Sequence, residues 1–148
     1  MTSPTSANNN FVEQFGSNNP LDGLDFGYLA APTLIDFDGD RKLDIFVAAT
    51  DGSIAFWKNT TEETDSQPKF ELQTGTNNPF NNIFTEEFSS AYPTLADLDN
   101  NGQIETAVVG KLDGTLRYFS LEGGQFIEKT GSDNPLNWVQ VGYFKIGR

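Results

Sequence analysis

Residues 36–48 read DFDGDRKLDIFVA, and residues 97–109 read DLDNNGQIETAVV. In both stretches a polar, acidic loop of nine residues leads into a run of apolar residues. The two stretches begin 61 residues apart, and Pro32 and Pro93 stand at the same spacing. Because unlike side chains recur at one spacing, the chain contains an internal repeat, which is typical of arrays and propellers.

The repeat extends over nearly the whole chain. Phe11, Phe70 and Phe126 begin successive copies, at spacings of 59 and 56 residues. Residues 1–10 are polar and carry no pattern, which predicts a disordered segment. The predicted units after it are a partial repeat over 11–30, a first blade over 31–75, a linker and second blade over 76–131, and a partial third repeat over 132–148.

Each complete unit is predicted to contain four short strands. They are expected at 33–37, 43–49, 54–58 and 69–73, and again at 94–98, 104–109, 116–120 and 125–129. Asp51-Gly52 and Asp113-Gly114 separate the second and third strands, and Asp-Gly is a strong hairpin signal. The second strands are apolar for several residues in a row rather than at alternate positions, which favours a sheet covered on both faces. An all-β chain of two β-propeller blades is therefore predicted, because a sandwich would leave one face of each sheet polar.

Composition excludes several functions. The formal net charge of −12 disfavours nucleic acid and anionic membrane surfaces as partners. The chain has no Cys and no His, so it lacks thiolate chemistry, the commonest general base and the commonest zinc ligand. No apolar stretch is long enough for membrane insertion. The first residues, MTSPTSANNN, show no secretory signal.

Oxygen-bearing side chains occupy positions 1, 3, 5 and 9 of both acidic loops, and the carbonyl group of position 7 can add a ligand. Hard oxygen ligands in a flexible loop are those that Ca²⁺ takes, in a shell of about six to eight. Without His or Cys, a soft transition metal is disfavoured. About two Ca²⁺ ions per chain are predicted. The candidate ligands are Asp36, Asp38, Asp40, Lys42 and Asp44, and then Asp97, Asp99, Asn101, Gln103 and Glu105.

The competing interpretation of these loops is a solvated acidic turn, which recurrence in a second repeat makes less attractive. An EF-hand does not fit, because its twelfth position would be Val47 or Val108, inside an apolar strand. Asn101 replaces an acid in the second loop, and Glu105 is longer than the Asp at its counterpart. The second loop is therefore predicted to be the weaker site, and the Asp36 loop to fill first.

At these residues the chain resembles the FG-GAP repeats, also called VCBS-type repeats, which are related to the propeller of integrin alpha subunits. The resemblance is carried by Phe26-Gly27, Ala31-Pro32-Thr33, Tyr92-Pro93-Thr94 and the two stretches quoted above. It implies that the loop of each blade holds Ca²⁺. It also implies adhesion, ligand display or scaffolding, often in an extracellular location, although no signal peptide is visible.

Two blades are fewer than the roughly four to eight of a closed propeller. Three or four chains could complete roughly six or eight blades by cyclic association, so a homo-oligomer is predicted. Residues 11–15, FVEQF, are predicted to be the fourth strand of a blade that the chain lacks. That strand could pair with another subunit or pack on the adjacent blade as a cap.

The predicted function is a non-enzymatic interaction or structural scaffold, with a protein or glycan ligand. The alternative is a lectin-like module that binds sugars through Trp57, Trp138, Tyr28 or Tyr92. Paired carboxylates can also hydrolyse glycosides. Every clustered acid in this chain is better explained as a metal ligand, so no catalytic residues are predicted.

Overall fold

The computed structural model describes residues 11–24, 30–48, 52–83, 93–111 and 113–142. Within these ranges eight strands form two separate four-stranded antiparallel sheets, and the only helices are three short 3₁₀ turns. The first sheet consists of β1 (Ala31–Ile35), β2 (Asp44–Ala48), β3 (Ile54–Asn59) and β4 (Phe70–Gln73). The second consists of β5 (Thr94–Ala96), β6 (Thr106–Gly110), β7 (Leu116–Glu122) and β8 (Gln125–Lys129). Each strand pairs with the next, which confirms the all-β prediction of two propeller blades.

All eight predicted strands are present, and no end is displaced by more than two residues. The first strand ends at Ile35 rather than at residue 37, because the N–H group of Phe37 donates to the Asp44 side chain instead of a strand neighbour. Several sequence features lie outside the described residues: the Phe26-Gly27 motif, Tyr28, Asp51, Tyr92 and the last six residues of the partial third repeat. No helix in the described part of the chain has the length and apolar character needed to cross a membrane.

The main hydrophobic core lies between the two sheets. It takes Phe46 and Phe56 from the first sheet and Phe119 and Phe126 from the second, each 4% exposed or less. Phe80, from the linker between the blades, packs among them. Its ring centroid lies 5.5 Å from those of Phe46 and Phe56 and 5.3 Å from that of Phe126. The linker therefore supplies a central part of the contact between the blades.

The opposite face of the first sheet is also apolar. Leu34, Ile45, Trp57 and Leu72 are paired laterally across all four strands and so share this face. Leu21, which occupies the position of Phe80 in the preceding linker, packs against Ile45 and Trp57. Each linker thus covers the same face of the blade that follows it.

The same asparagine-containing turn occurs in all three linkers and sets the direction of the chain there. Asn19, Asn78 and Asn134 each accept a hydrogen bond from the N–H group two residues later, at 3.0, 3.0 and 2.8 Å. The Asn78 amide also donates to the Ile54 carbonyl at 2.9 Å, and the Asn134 amide donates to the Leu116 carbonyl at 3.3 Å. These carbonyls belong to the first residue of the third strand in each blade, so the asparagine directs the chain back across its own sheet.

Residues 11–15 form no strand with any described residue, so their pairing with another subunit stays a prediction. Phe11 and Phe15 are 106% and 70% exposed, so these rings do not cap the first blade, which was the alternative. An extended segment gains ladder hydrogen bonds only beside a partner strand. The first blade already contains its own fourth strand, β4, which leaves this segment without a partner in the described part of the chain.

Candidate metal centres in the acidic loops

The two acidic loops adopt the same backbone conformation. Positive φ angles occur at the fourth and sixth positions of both: 78° at Gly39 and 70° at Arg41, then 59° at Asn100 and 88° at Gly102. Left-handed backbone is unfavourable for residues with a Cβ atom, so each loop places a glycine at one of the two positions. The shared conformation explains why the loops recur despite different residues between their acids.

In the first loop, the structure brings together three of the predicted ligands. Oxygen atoms of Asp36, Asp38 and Asp40 all lie within 4.8 Å of one another. Asp36 accepts hydrogen bonds from the N–H groups of Gly39 and Arg41, both at 2.9 Å. The alternate acids therefore point into the loop, where a cation would be surrounded by oxygen.

In the second loop, the corresponding cluster is Asp97, Asp99 and Glu105, also within 4.8 Å of one another. Asp97 accepts from the N–H groups of Asn101 and Gly102, at 3.1 and 2.8 Å. The Asn101 side-chain NH₂ group donates to Asp99 at 2.9 Å. Asn101 is neutral, so it can offer a metal only its amide oxygen, whereas its counterpart Asp40 offers a charged carboxylate.

The seventh positions, Lys42 and Gln103, contribute N–H groups to the loops. These donate to Asp40 and to Asn101, at 2.9 and 2.8 Å. That the carbonyl groups of these two residues bind the metal stays a prediction.

The ninth position differs between the loops. Asp44 is the first residue of β2, is fully buried, and accepts from the N–H groups of Asn59 at 2.8 Å and Phe37 at 3.1 Å. Both of its oxygens are used by backbone, and it is not part of the three-acid cluster.

Glu105 instead lies one residue before β6. Ala107 pairs with Phe119 as Ile45 pairs with Trp57, so Thr106 takes the strand position of Asp44. The additional methylene group of Glu105 compensates for this offset of one residue. Its Oε1 atom accepts from the Leu98 N–H group at 2.7 Å, the counterpart of the bond between Phe37 and Asp44. Loop alignment alone could not show this, because the extra residue lies in the strand that follows.

The second oxygen of Glu105 is the feature that points to a ligand. Glu105 Oε2 is buried and has no hydrogen-bond partner among the described residues. A buried polar atom without a partner is costly, and native proteins rarely leave one unexplained. A cation held by Asp97, Asp99 and this oxygen would satisfy it, so the residues of the second loop fit a metal.

Electrostatics in the first loop also favours a cation. Desolvation by burial raises the pKa of Asp44 above its ordinary value, although the N–H groups of Asn59 and Phe37 lower it. The charges of Asp38 and Asp40 raise the same pKa further. Burial and the neighbouring acids therefore both disfavour the charged form of Asp44, and a nearby cation would offset this.

A protein cation partly relieves this charge. The Lys58 ammonium forms an ion pair with Asp38 Oδ2. Burial alone would raise the pKa of Asp38, but the hydrogen bonds from Lys58 and the Asp40 N–H group outweigh it and hold that pKa below its ordinary value. Lys58 thus occupies part of the space around the acids, and the sequence analysis did not identify it.

The strained sixth position gives a testable prediction. Arg41→Gly is expected to raise the free energy of unfolding by about 1 kcal/mol, because glycine adopts the left-handed backbone without the cost paid by arginine. The matched control is Gly102→Ala at the same position of the second loop, where no atom would lie within 4 Å of the new Cβ atom. The free energy of unfolding of the Gly102→Ala variant should fall by about 1 kcal/mol. Urea unfolding in EDTA measures the stability of both variants. If both substitutions stabilised the chain, or both destabilised it, the left-handed backbone would not be the cause.

The aromatic residues considered for sugar binding have different environments. Trp57 is 8% exposed and packs in the apolar cluster on the first sheet, so its ring face is not available to a ligand. Trp138 is 84% exposed. Tyr28 and Tyr92 lie outside the described residues.

A family model matches the part of the chain that contains both acidic loops. Residues 36–108 match the family model described as an FG-GAP-like repeat, and this segment runs from the first acidic loop into the second strand of the second sheet. No curated protein and no solved structure shows significant similarity to the chain.

Proposed function

This chain carries FG-GAP-like repeat sequence over residues 36–108, and we propose that it is a calcium-binding propeller module that serves as a non-enzymatic interaction or structural scaffold. The observation that supports this most is the buried, unpaired Oε2 atom of Glu105 beside Asp97 and Asp99. A cation bound there would satisfy this oxygen, which has no donor among the described residues.

Calcium is the cation that the donor set favours. Both clusters offer only carboxylate, amide and carbonyl oxygens, and the chain contains no His or Cys. Ca²⁺ accepts irregular shells of such ligands, whereas Mg²⁺ demands stricter octahedral geometry. Bound in the first loop, the ion would connect the end of β1 to the start of β2. Its role is to neutralise the acids and stabilise the hairpin.

A structural role, rather than a catalytic one, suits the bonding of these acids. Asp36 and Asp97 each accept two N–H groups of their own loop, and Asp44 accepts two more from neighbouring segments. Such bonds hold each carboxylate in a fixed orientation, which suits a metal ligand better than a group that must move to transfer a proton.

The apolar outer faces support association between copies. Leu34 and Leu72, on the outer face of the first sheet, which Leu21 covers only in part, are 59% and 49% exposed. On the outward face of the second sheet, Val108 and Tyr118 form a pair that corresponds to the buried pair Phe46 and Phe56. The contact between the two blades of one chain could therefore repeat between chains. Three or four copies would then close a ring of roughly six or eight blades.

Light scattering on a size-exclusion column, with millimolar Ca²⁺ and then EDTA, tests this ring. The expected result is a discrete trimer or tetramer that loosens when calcium is chelated. Leu34→Asp should give a monomer in either buffer, because it places a charge in the apolar contact without disturbing a buried residue. A wild-type chain that is monomeric in both buffers would contradict the proposed assembly.

The lectin-like alternative is carried by Trp138, whose ring is 84% exposed and free to stack on a sugar. A glycan array on the wild-type chain and on Trp138→Ala separates the two functions. Glycan binding that the substitution abolishes would favour the lectin, whereas an array without signal favours the plain scaffold.

A further inference from the structure

We infer that Lys58 is a tethered cation that competes with calcium for the first acidic loop, so that the second loop fills first. The inference rests on the proposed calcium binding, and it reverses the order expected from counting acids in the sequence. It assigns to this lysine a measurable share of the difference in affinity between two loops of the same backbone conformation.

The position of Lys58 makes it a competitor. It lies in β3, directly after Trp57, and its ammonium forms an ion pair with Asp38 Oδ2 although 20 residues separate the two in sequence. Asp38 belongs to the cluster with Asp36 and Asp40. A metal that takes this oxygen must displace the ammonium or bind beside it, and either event weakens binding.

The second blade lacks this lysine. Ser120 follows Phe119 in β7 as Lys58 follows Trp57 in β3, and Ser120 pairs with Thr106 in the neighbouring strand. A serine hydroxyl brings no charge to the position. The same strand site therefore carries a cation in one blade and a neutral group in the other.

The local charge differs in the same direction. The first loop has four carboxylates, but Arg41 and Lys42 within it and Lys58 beside it leave a formal charge of −1. The second loop, residues 97–105, has three carboxylates and no basic residue, which leaves −3. Counting acids alone favours the first loop, whereas counting every charge favours the second as the site of higher cation affinity.

The ninth position adds a further advantage for the second loop. Both oxygens of Asp44 accept backbone N–H groups, so a metal would have to share them. Glu105 belongs to the second cluster, and its Oε2 atom is buried and has no partner among the described residues. Binding at the second loop satisfies an atom that is already desolvated, and so it gains a bond without breaking one.

Lys58 has room to leave Asp38. The two side chains line a cleft of about 270 Å³ between the blades, together with Phe37, Phe56 and Pro79. The Lys58 side chain is 43% exposed in its present position. Calcium entering the first loop would therefore move the ammonium into this cleft without repacking the core, as a second step at higher calcium concentration.

Calorimetric titration with calcium chloride tests the inference on loops studied one at a time. The Asp99→Ala substitution disables the second loop, so only the first loop can bind calcium. The Asp36→Ala substitution disables the first loop, so only the second can. In the Asp99→Ala chain, Lys58→Met should tighten calcium binding by about fivefold, the upper range for an exposed ion pair. The same substitution in the Asp36→Ala chain should leave affinity unchanged. The reciprocal control, Ser120→Lys in the Asp36→Ala chain, should weaken binding by about fivefold.

The order of filling is measured in the unmutated chain by NMR. The N–H groups of Gly39 and Gly102 donate to Asp36 and Asp97, so their amide shifts report the two loops separately. The Gly102 amide should shift at lower calcium concentration than the Gly39 amide. If Gly39 shifts first, or if Lys58→Met has no effect, the role of Lys58 is overturned while calcium binding stands. If neither amide shifts and no heat is measured, the proposed calcium function falls as well.

Discussion

Phe80→Ala is expected to lower the free energy of unfolding by about 4 kcal/mol, within the range for truncating a buried phenylalanine. The ring is 1% exposed and lies in the linker, yet it packs against aromatic side chains of both sheets. It is stacked with Phe46 and Phe126 and meets Phe56 edge to face. Removing it leaves a cavity between the blades, where no backbone shift within one sheet can close the space.

Urea unfolding followed by tryptophan fluorescence measures this loss. Phe80→Leu should cost less than half as much, since the leucine fills part of the cavity. Trp138→Ala is the control for removing a large exposed ring, and it should change stability by less than about 0.5 kcal/mol. If Phe80→Ala and Trp138→Ala had similar effects, the two blades would not share one core, and each would unfold on its own.

Calcium removal is expected to produce the second large effect, a fall of about 15 °C in the melting temperature. A ligand at 100 times its Kd stabilises the folded state by about 2.7 kcal/mol, so two loops supply about 5 kcal/mol. For a chain of this length each kcal/mol corresponds to about 2–4 °C. Calorimetric melting in saturating Ca²⁺ and in EDTA gives the difference directly.

Two variants divide that shift between the loops. Asp36→Asn, which leaves the tighter second loop intact, should retain more than half of the calcium-dependent shift, and Asp97→Asn should retain less than half. The double variant should melt at the same temperature in both buffers. Magnesium at equal concentration is the ionic control and should stabilise the wild-type chain much less. Coincident wild-type curves in calcium and in EDTA would show that the loops are ordinary acidic turns.

Local features of the fold were predictable because each depends on a few neighbouring residues. The apolar run that begins at Ile45 predicts a strand over 43–49, and the structure places β2 at Asp44–Ala48. Asp113-Gly114 predicts the hairpin between β6 and β7, where Gly114 has a φ of 84°. A side chain at Gly114 would also collide with the Gly142 carbonyl, and this contact with the third repeat was not predictable from the turn alone.

The linkers were harder to interpret, since their residues have no strand or helix period. Phe80 was one of many phenylalanines in the sequence, and nothing around it distinguishes a core residue from a surface one. The recurring Asn78 and Asn134 were visible as part of the repeat. Their bonds to Ile54 and Leu116 join segments that are 24 and 18 residues apart, which no local pattern indicates.

The sequence by itself determined the repeat, the all-β class, the eight strands and the two acidic loops. These follow from turn chemistry, strand periodicity and ligand spacing, which are properties of short stretches of chain. Only the tertiary structure decided that Phe80 lies between the sheets, that Glu105 is offset by one residue from Asp44, and that Lys58 contacts Asp38. Each of these depends on how separate strands pack against one another, and the packing of distant segments is not encoded in any one window of sequence.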